Sequence, residues 1–133
     1  MGSMGQDLSE GIVSALLTLA ESQKLRHRAE ETCREWLRSA SEEGDLGGWS
    51  LEEIELHFER CALVFDHGIL SYPFVETRLG LYVADSTGVC FRGLRPVGHY
   101  RLITLLDGTD DDDYFVLDTV KNAEPDAAAQ PRD

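Results

Sequence analysis

Carboxylates are concentrated near the end of the chain, where six lie within twelve residues. Their positions are Asp107, Asp110, Asp111, Asp112, Asp113 and Asp118. Oxygen ligands at this density could hold calcium or magnesium, but an EF-hand loop has a different spacing, since here the glycine comes second and no glutamate ends the loop. A solvated hairpin loop with mutually repelling charges is favoured, so we predict no metal ion and no cofactor. Asparagine at the four consecutive positions should then preserve or slightly raise stability.

A second group of polar residues falls on alternate positions of the predicted strands. Because alternate residues of a strand point to one face of a sheet, a suitable strand order brings these side chains together. The group consists of Glu76, Arg78, Tyr82, His99 and Arg101, joined by His57 and Glu59 if the strand order allows. Two histidines among carboxylates could serve as acid and base. A solvated face with cross-strand ion pairs is favoured, because antiparallel sheets normally carry such pairs, and no catalytic residue is assigned.

Asp66 and His67 precede Gly68 between two apolar segments, where they could form part of a metal or proton-transfer site. Ordinary turn chemistry explains the same three residues and is favoured. No G-x-S-x-G, Walker loop, G-x-G-x-x-G or H-E-x-x-H pattern occurs. Hydrolase, nucleotide-binding and zinc-protease functions therefore lack their local signatures.

The charge of the chain constrains its partners. Its 25 acidic and 12 basic residues give a net charge of -13, which repels nucleic-acid phosphate and anionic lipid and attracts basic surfaces. The sequence thus predicts no nucleic-acid or membrane partner. The charge can also serve solubility alone, without any partner.

Cysteine usage and hydropathy bear on the compartment. Cys33, Cys61 and Cys90 are odd in number and far apart, so buried thiols are expected rather than a disulfide framework or a zinc site. The longest apolar run, residues 61–65, is far shorter than a membrane span, which needs roughly 18 residues. We interpret the chain as cytoplasmic.

The first part of the chain has helical periodicity. Residues 1–6 resemble an expression remnant and are expected to be flexible, whereas residues 12–43 contain neither proline nor glycine. The spacing predicts one helix of about thirty residues, or two with a bend near Ser22, capped at the start by Asp7 or Ser9.

One tryptophan of this helix is expected in the core. Trp36 lies on the same predicted stripe as Cys33 and Ala40. If it is fully buried, Trp36→Ala should cost about 3 to 5 kcal/mol. An exposed Trp36 would instead indicate a partner surface.

The remainder of the chain has strand patterns. Ser50 and Glu53 form a capping-box pattern, so a short helical start is expected before a strand that ends at Phe65. The apolar residues of 50–65 also follow helical spacing, so a helix over this segment is the alternative. The other expected segments are a strand at 75–83, a turn at 85–88, a short strand at 89–92, a connection at 93–98 containing Pro96, strands at 99–106 and 114–118, and a disordered, dispensable tail at 121–133.

A helix followed by an antiparallel meander predicts a single α+β domain over residues 7–120, with the helix on one face of a four- or five-stranded sheet. The favoured function is a non-enzymatic module of the inhibitor, immunity, chaperone or assembly type that engages a basic protein partner. The residues predicted to contact the partner are the six aspartates between Asp107 and Asp118, which we call the acidic run, and also Glu76, Arg78, His99 and Arg101. The alternative is a small-molecule-binding or enzymatic domain, with a pocket between helix and sheet reached by His99 or Tyr100.

Overall fold

A computed structural model of the chain describes residues 3–85 and 93–121 and shows two layers, helices on one side and a sheet on the other. In chain order the elements are α1 (Ser3–Ser22), α2 (Leu25–Glu42), a 3-10 turn (Leu51–Glu53), β1 (Glu55–Val64), β2 (Phe74–Ala84), β3 (Leu94–Leu105) and β4 (Asp110–Leu117). Within the described residues the sheet has four antiparallel strands in the order β1-β2-β3-β4. The predicted α+β meander is confirmed. Of the helices in this part of the chain, none combines the length and apolar character needed to cross a membrane.

The helical part is broken into two helices at the predicted place. Lys24 adopts a left-handed backbone conformation with φ of 51°, which ends the regular hydrogen bonding of α1. The guanidinium of Arg28 donates to the carbonyl oxygen of Gln23 at 3.2 Å and supports the turn. α1 begins at Ser3, so the expectation that Asp7 or Ser9 caps its start is wrong.

The hydrophobic core lies between α2 and one face of the sheet. Leu25, Ala29, Cys33 and Leu37 recur every fourth residue and are buried, because residues four apart share one helix face. The core cluster on the sheet and the adjoining loops contains Leu46, Ile54, Leu79, Leu81, Val83, Val97, Tyr100 and Leu102. Burial raises the pKa of the Cys33 thiol to about 12. Cys33 is therefore a neutral core residue, as expected. Cys61 is exposed, so the expectation of a buried thiol is wrong there, and Cys90 lies outside the described residues.

Trp36 does not belong to this core, and the prediction of its burial is wrong. Its side chain is 43% exposed. The buried stripe runs through Cys33 and Leu37 at a spacing of four, so Trp36 points to the border of the helix–sheet interface rather than into it. Its surroundings are described with the candidate site below.

The predicted start of the sheet is confirmed. The backbone N–H of Ser50 donates to the carboxylate of Glu53 at 2.8 Å, which closes the capping box before β1. β1 then pairs with β2, with a register shift between Phe58 and Arg60. At this bulge two residues of β1 lie opposite one residue of β2. The alternation of side chains between the two sheet faces is therefore shifted by one residue in the part of β1 that follows the bulge.

Two strands begin earlier than predicted. β3 starts at Leu94 rather than at residue 99, and the register shift opposite Leu81 and Tyr82 accommodates Pro96, which cannot donate a ladder hydrogen bond. β4 starts at Asp110 rather than at residue 114. The expected connection at 93–98 and the expected acidic loop at 110–113 are thus strand, which corrects both predictions.

The last described residue of the chain is bound to the rest of the domain. Lys121, the first residue of the predicted tail, donates its backbone N–H to Gly47 at 2.7 Å and its ammonium to Glu53 at 2.8 Å. This residue is held by the domain and is not disordered. The expected tail over residues 122–133 and the expected turn and strand at 86–92 lie outside the described residues.

The backbones of β3 and β4 approach each other closely at Gly98, and a substitution there tests this contact. A Cβ atom at Gly98 would collide with the carbonyl oxygen of Val116 and lie 3.0 Å from Cα of Leu117. Backbone atoms cannot move aside, so we expect Gly98→Ala to lower the unfolding free energy by about 1 to 3 kcal/mol in a denaturant titration.

Gly11 in α1 is the matched control, because a Cβ there meets nothing within 4 Å. Gly11→Ala should leave the protein unchanged or stabilise it by about 0.5 to 1 kcal/mol, since alanine is the better helix former. Equal losses in the two variants would contradict the steric explanation.

Candidate functional site

A groove runs between the second half of α2 and β4, and we call it the α2–β4 groove. Its volume is about 610 Å³. It is lined by Thr32, Glu35, Trp36, Ser39, Ala40, Glu43, Asp45, Phe115 and Leu117. An apolar floor with polar groups at its margin is the usual composition of a binding surface.

The floor of the groove is aromatic. The rings of Trp36 and Phe115 are stacked, with centroids 5.7 Å apart and planes inclined by 10°. Trp36 comes from α2 and Phe115 from β4, so the stack joins the helix to the edge strand of the sheet. The exposed part of the Trp36 ring faces solvent and is free to contact another molecule.

Asp113 fixes the position of Trp36. One carboxylate oxygen of Asp113, Oδ2, accepts hydrogen bonds from the indole N–H of Trp36 and from the hydroxyl of Tyr100, each at 2.8 Å. Tyr100 is fully buried, and its burial and the bond to Asp113 raise its pKa. The tyrosine therefore stays a neutral donor, and the two bonds lock the aromatic floor in place.

The margin of the groove is acidic where α2 ends. Glu43 and Asp45 follow the helix directly, Glu35 lies two turns earlier, and the last turn of α2 contains no basic residue. Carboxylates at a helix C-terminus meet the negative end of the helix dipole, which is unfavourable by about 0.3 to 1 kcal/mol each. In residues 3–85 and 93–121 none of these three carboxylates has an ion-pair partner. The margin is thus a site of uncompensated negative charge.

The aspartates of the acidic run have individual partners. Asp110 accepts from the guanidinium of Arg28 and, at 3.1 Å, from the hydroxyl of Thr104. Asp111 accepts from Tyr72 at 3.3 Å. The prediction of a loop of mutually repelling charges is therefore wrong, because the segment is strand and donors from α2 and the sheet relieve the repulsion. Asp110, Asp111 and Asp112 are exposed to solvent, as predicted.

The two outer aspartates of the run have local partners. Asp107 accepts the backbone N–H of Thr109 at 2.9 Å, which lowers the pKa of this carboxyl. Asp118 accepts from the hydroxyl of Thr119 at 3.1 Å. Among the described residues, no group of three or more histidine, cysteine, aspartate or glutamate side chains is arranged to hold a metal ion.

The open face of the sheet carries the second predicted group of polar residues, and the structure brings these residues together there. Glu76 accepts from Arg101 at 3.3 Å and lies 3.8 Å from Arg60. Glu59 accepts from Arg78 at 2.7 Å and from the hydroxyl of Tyr82 at 2.6 Å. These are the cross-strand ion pairs that the favoured interpretation expects.

The pKa values of this face follow from its pairing. Burial of Glu59 acts to raise its pKa, but the hydrogen bonds from Tyr82 and Arg78 outweigh it, and the net shift is downward. Burial lowers the pKa of His99, with added repulsion from Arg78 and Arg101. His99 is thus held neutral beside ion-paired neighbours, while His57 lies 3.2 Å from Glu55 at the edge of the face.

The segment between β1 and β2 covers one end of the open face and encloses a second cavity of about 350 Å³, to which His67, Glu76 and Arg101 contribute. His67 Nδ1 accepts the backbone N–H groups of Ile69 and Leu70 at 3.0 and 3.2 Å. This is the turn chemistry that was favoured for residues 66–68. Nδ1 of His67 thus accepts hydrogen bonds from the backbone of the turn, and the carboxylate of Glu76 forms ion pairs with Arg60 and Arg101.

The sequence pattern singles out only Trp36 and Ala40 among the groove residues; Glu35, Glu43, Asp45 and Phe115 are among those that it does not identify. The signal available for Glu43 and Asp45 is their place at a helix C-terminus, where carboxylates are disfavoured. No local signal identifies Phe115, since its stacking partner Trp36 is distant in sequence.

The hydrogen bonds of Asp113 make a stability prediction that differs from the one drawn from the sequence. Asp113→Ala removes the carboxylate that accepts from the buried hydroxyl of Tyr100 and leaves the hydroxyl of Thr32 as its side-chain neighbour. We therefore expect the unfolding free energy to fall by about 1 to 3 kcal/mol in a urea titration. Asp118→Ala removes an exposed aspartate of the same run and should change it by less than about 0.5 kcal/mol. Equal stability of the two variants would show that Asp113 does not hold Tyr100.

Comparison with known proteins reveals no relative of this chain. The chain matches no family model, and no curated protein or solved structure matches it. Functional inference therefore rests on the geometry of the α2–β4 groove and on the charge around it.

Proposed function

We propose that the protein is a non-enzymatic binding module that holds a basic segment of a protein partner in the α2–β4 groove. The observation that carries this proposal is the half-exposed Trp36, stacked on Phe115 and fixed by Asp113, beside carboxylates that lack partners in the described chain. Tryptophan that is rigid and partly exposed is a typical anchor of protein interfaces.

The chemistry of the groove selects the partner. Its apolar floor accepts an aliphatic or aromatic side chain, and the face of Trp36 also suits an arginine guanidinium, which stacks favourably on indole. Glu35, Glu43 and Asp45 then receive lysine or arginine side chains at the margin. The fitting ligand is thus an amphipathic segment with basic residues on both sides of an apolar one.

The charge of the whole chain supports the same partner class. A net charge of -13 attracts basic proteins over a distance of about 8 Å at physiological ionic strength and speeds their association. Exposed Asp111 and Asp112 on the edge strand β4 add negative charge on the side of the second cavity. Contacts of a partner with the remaining predicted residues, Asp107, Asp110, Asp118, Glu76, Arg78, His99 and Arg101, stay a prediction.

The alternative function, a ligand-binding or enzymatic domain with a pocket between helix and sheet, has less support. The middle of the interface between α2 and the sheet is filled by buried side chains, among them Tyr100, Leu79 and Leu81. Open space between the two layers lies at its borders, in the α2–β4 groove and in a depression of about 440 Å³ between α2 and β1, and no described histidine lines either. The second cavity lies on the opposite face of the sheet, where His67 and Glu76 are already engaged.

Capture from native lysate with three baits tests the proposal. The baits are the wild type, a groove variant (Glu35→Gln, Glu43→Gln, Asp45→Asn) and a control variant (Glu52→Gln, Glu55→Gln, Asp66→Asn) that loses the same charge elsewhere on the surface. We expect a basic protein that the wild type and the control retain at low salt, that high salt elutes, and that the groove variant does not retain. Its association with the groove variant should be at least about tenfold slower.

Retention by all three baits alike would contradict the groove as the binding site. Retention that salt does not weaken would contradict the electrostatic part of the proposal. The control should unfold like the wild type, whereas the groove variant should be equally or more stable, because Glu43→Gln and Asp45→Asn each remove a carboxylate that costs about 0.3 to 1 kcal/mol against the helix dipole.

A further inference from the structure

Helix α1 is poorly supported by the rest of its own chain. Between Ser9 and Ser22 no residue is buried, and Leu16, Leu19 and Ala20 are the only ones of this stretch with intermediate exposure. A helix in a protein normally derives most of its stability from packing an apolar face against other elements. α1 offers such a face without a described element to cover it.

The exposed side of α1 is apolar. Ile12, Val13 and Leu17 are 46%, 51% and 61% exposed. Together with Leu16 and Leu19 they lie on one side of the helix, over an arc of about 160° at 100° per residue, and the contact with α2 leaves three of the five exposed. Gly11 and the β-branched Ile12 and Val13 also lower the intrinsic helix propensity. The helix therefore needs a second covering surface.

The distribution of charged residues indicates what kind of molecule covers the exposed side of α1. Within residues 9–22 the charged residues are Glu10 and Glu21, whereas the whole chain has 37 charged residues and a net charge of -13. A basic partner selected by charge has little to bind on α1. A second copy of the chain brings an equally apolar helix, and contact through this nearly uncharged element places few like charges at the interface, while the net charge of -13 on each copy still weakens their association.

We propose that α1 pairs with α1 of a second copy of this chain, forming a reversible two-fold dimer. The same residues meet in both copies, as in any isologous contact. A helix of 20 residues spans about 30 Å, which gives the pair several turns of contact. The exposed apolar side chains are fewer than a standard interface of about 800 Å² per partner contains, so the dimer dissociates on dilution.

Sedimentation velocity of the full chain over an about hundredfold concentration range tests the dimer. The wild type should rise from 14.8 kDa towards twice that mass. A variant with Val13→Glu and Leu17→Glu should stay at the mass of one chain. A control with Phe65→Glu and Ile69→Glu, which loses two even more exposed apolar side chains and gains the same charge, should dimerise like the wild type.

A milder variant guards against loss of the helix itself. Leu17→Asn should raise the dissociation constant of the dimer about tenfold or more, since each copy loses one buried leucine contact. A wild type that keeps the mass of one chain throughout, or a double α1 variant that dimerises like the wild type, overturns the proposal. High salt should strengthen the dimer, because it screens the repulsion between two chains of net charge -13, whereas it weakens partner binding in the α2–β4 groove.

Discussion

The carboxylate of Asp113 is the point on which the arrangement of α2, β3 and β4 depends. Tyr100 lies fully buried in β3, and its hydroxyl needs an acceptor, because an unsatisfied buried donor costs about 1 to 3 kcal/mol. Asp113 on the neighbouring strand supplies that acceptor and also receives the indole N–H of Trp36 from α2. One charged group thereby joins the helix layer to two strands of the sheet.

This constraint explains why a run of four aspartates can form a strand. Consecutive carboxylates repel one another and have low strand propensity, so the local pattern disfavours a strand at this position. Arg28, Trp36, Tyr72 and Tyr100 donate to the run from outside it. Tertiary hydrogen bonds therefore outweigh the local preference.

The negative charges of the domain fall into two classes with different consequences. On β4 and the open sheet face, Asp110, Glu59 and Glu76 form ion pairs. Asp111 and Asp113 accept hydrogen bonds from tyrosine or tryptophan side chains, and these contacts contribute to the stability of the sheet. The carboxylates at the end of α2, beside the aromatic floor, oppose the helix dipole and have no ion-pair partner among the described residues. Because these carboxylates do not stabilise the fold, they are available to bind an external ligand. Their position beside the aromatic floor supports the proposed basic partner.

Local pattern was sufficient for much of the fold. The alternation of residues 75–83, the capping box at Ser50 and the break after Ser22 were predictable because each depends on neighbours in sequence. The exposure of Trp36 and the early start of β4 were not, since both depend on contacts such as Trp36 with Asp113, which are 77 residues apart. The face of polar residues around Glu76 was predictable from alternation, whereas the groove required the relative placement of α2 and β4.

The most direct test of this account is a double-mutant cycle between Trp36→Phe and Asp113→Ala, measured by denaturant unfolding. Phenylalanine keeps a ring against Phe115 and removes the N–H donor, so the cycle isolates the hydrogen bond between α2 and β4. The account predicts a coupling free energy of about 0.5 to 3 kcal/mol between the two residues. Losses that add to within about 0.3 kcal/mol would contradict it, because Asp113 would then not hold the tryptophan that forms the floor of the groove.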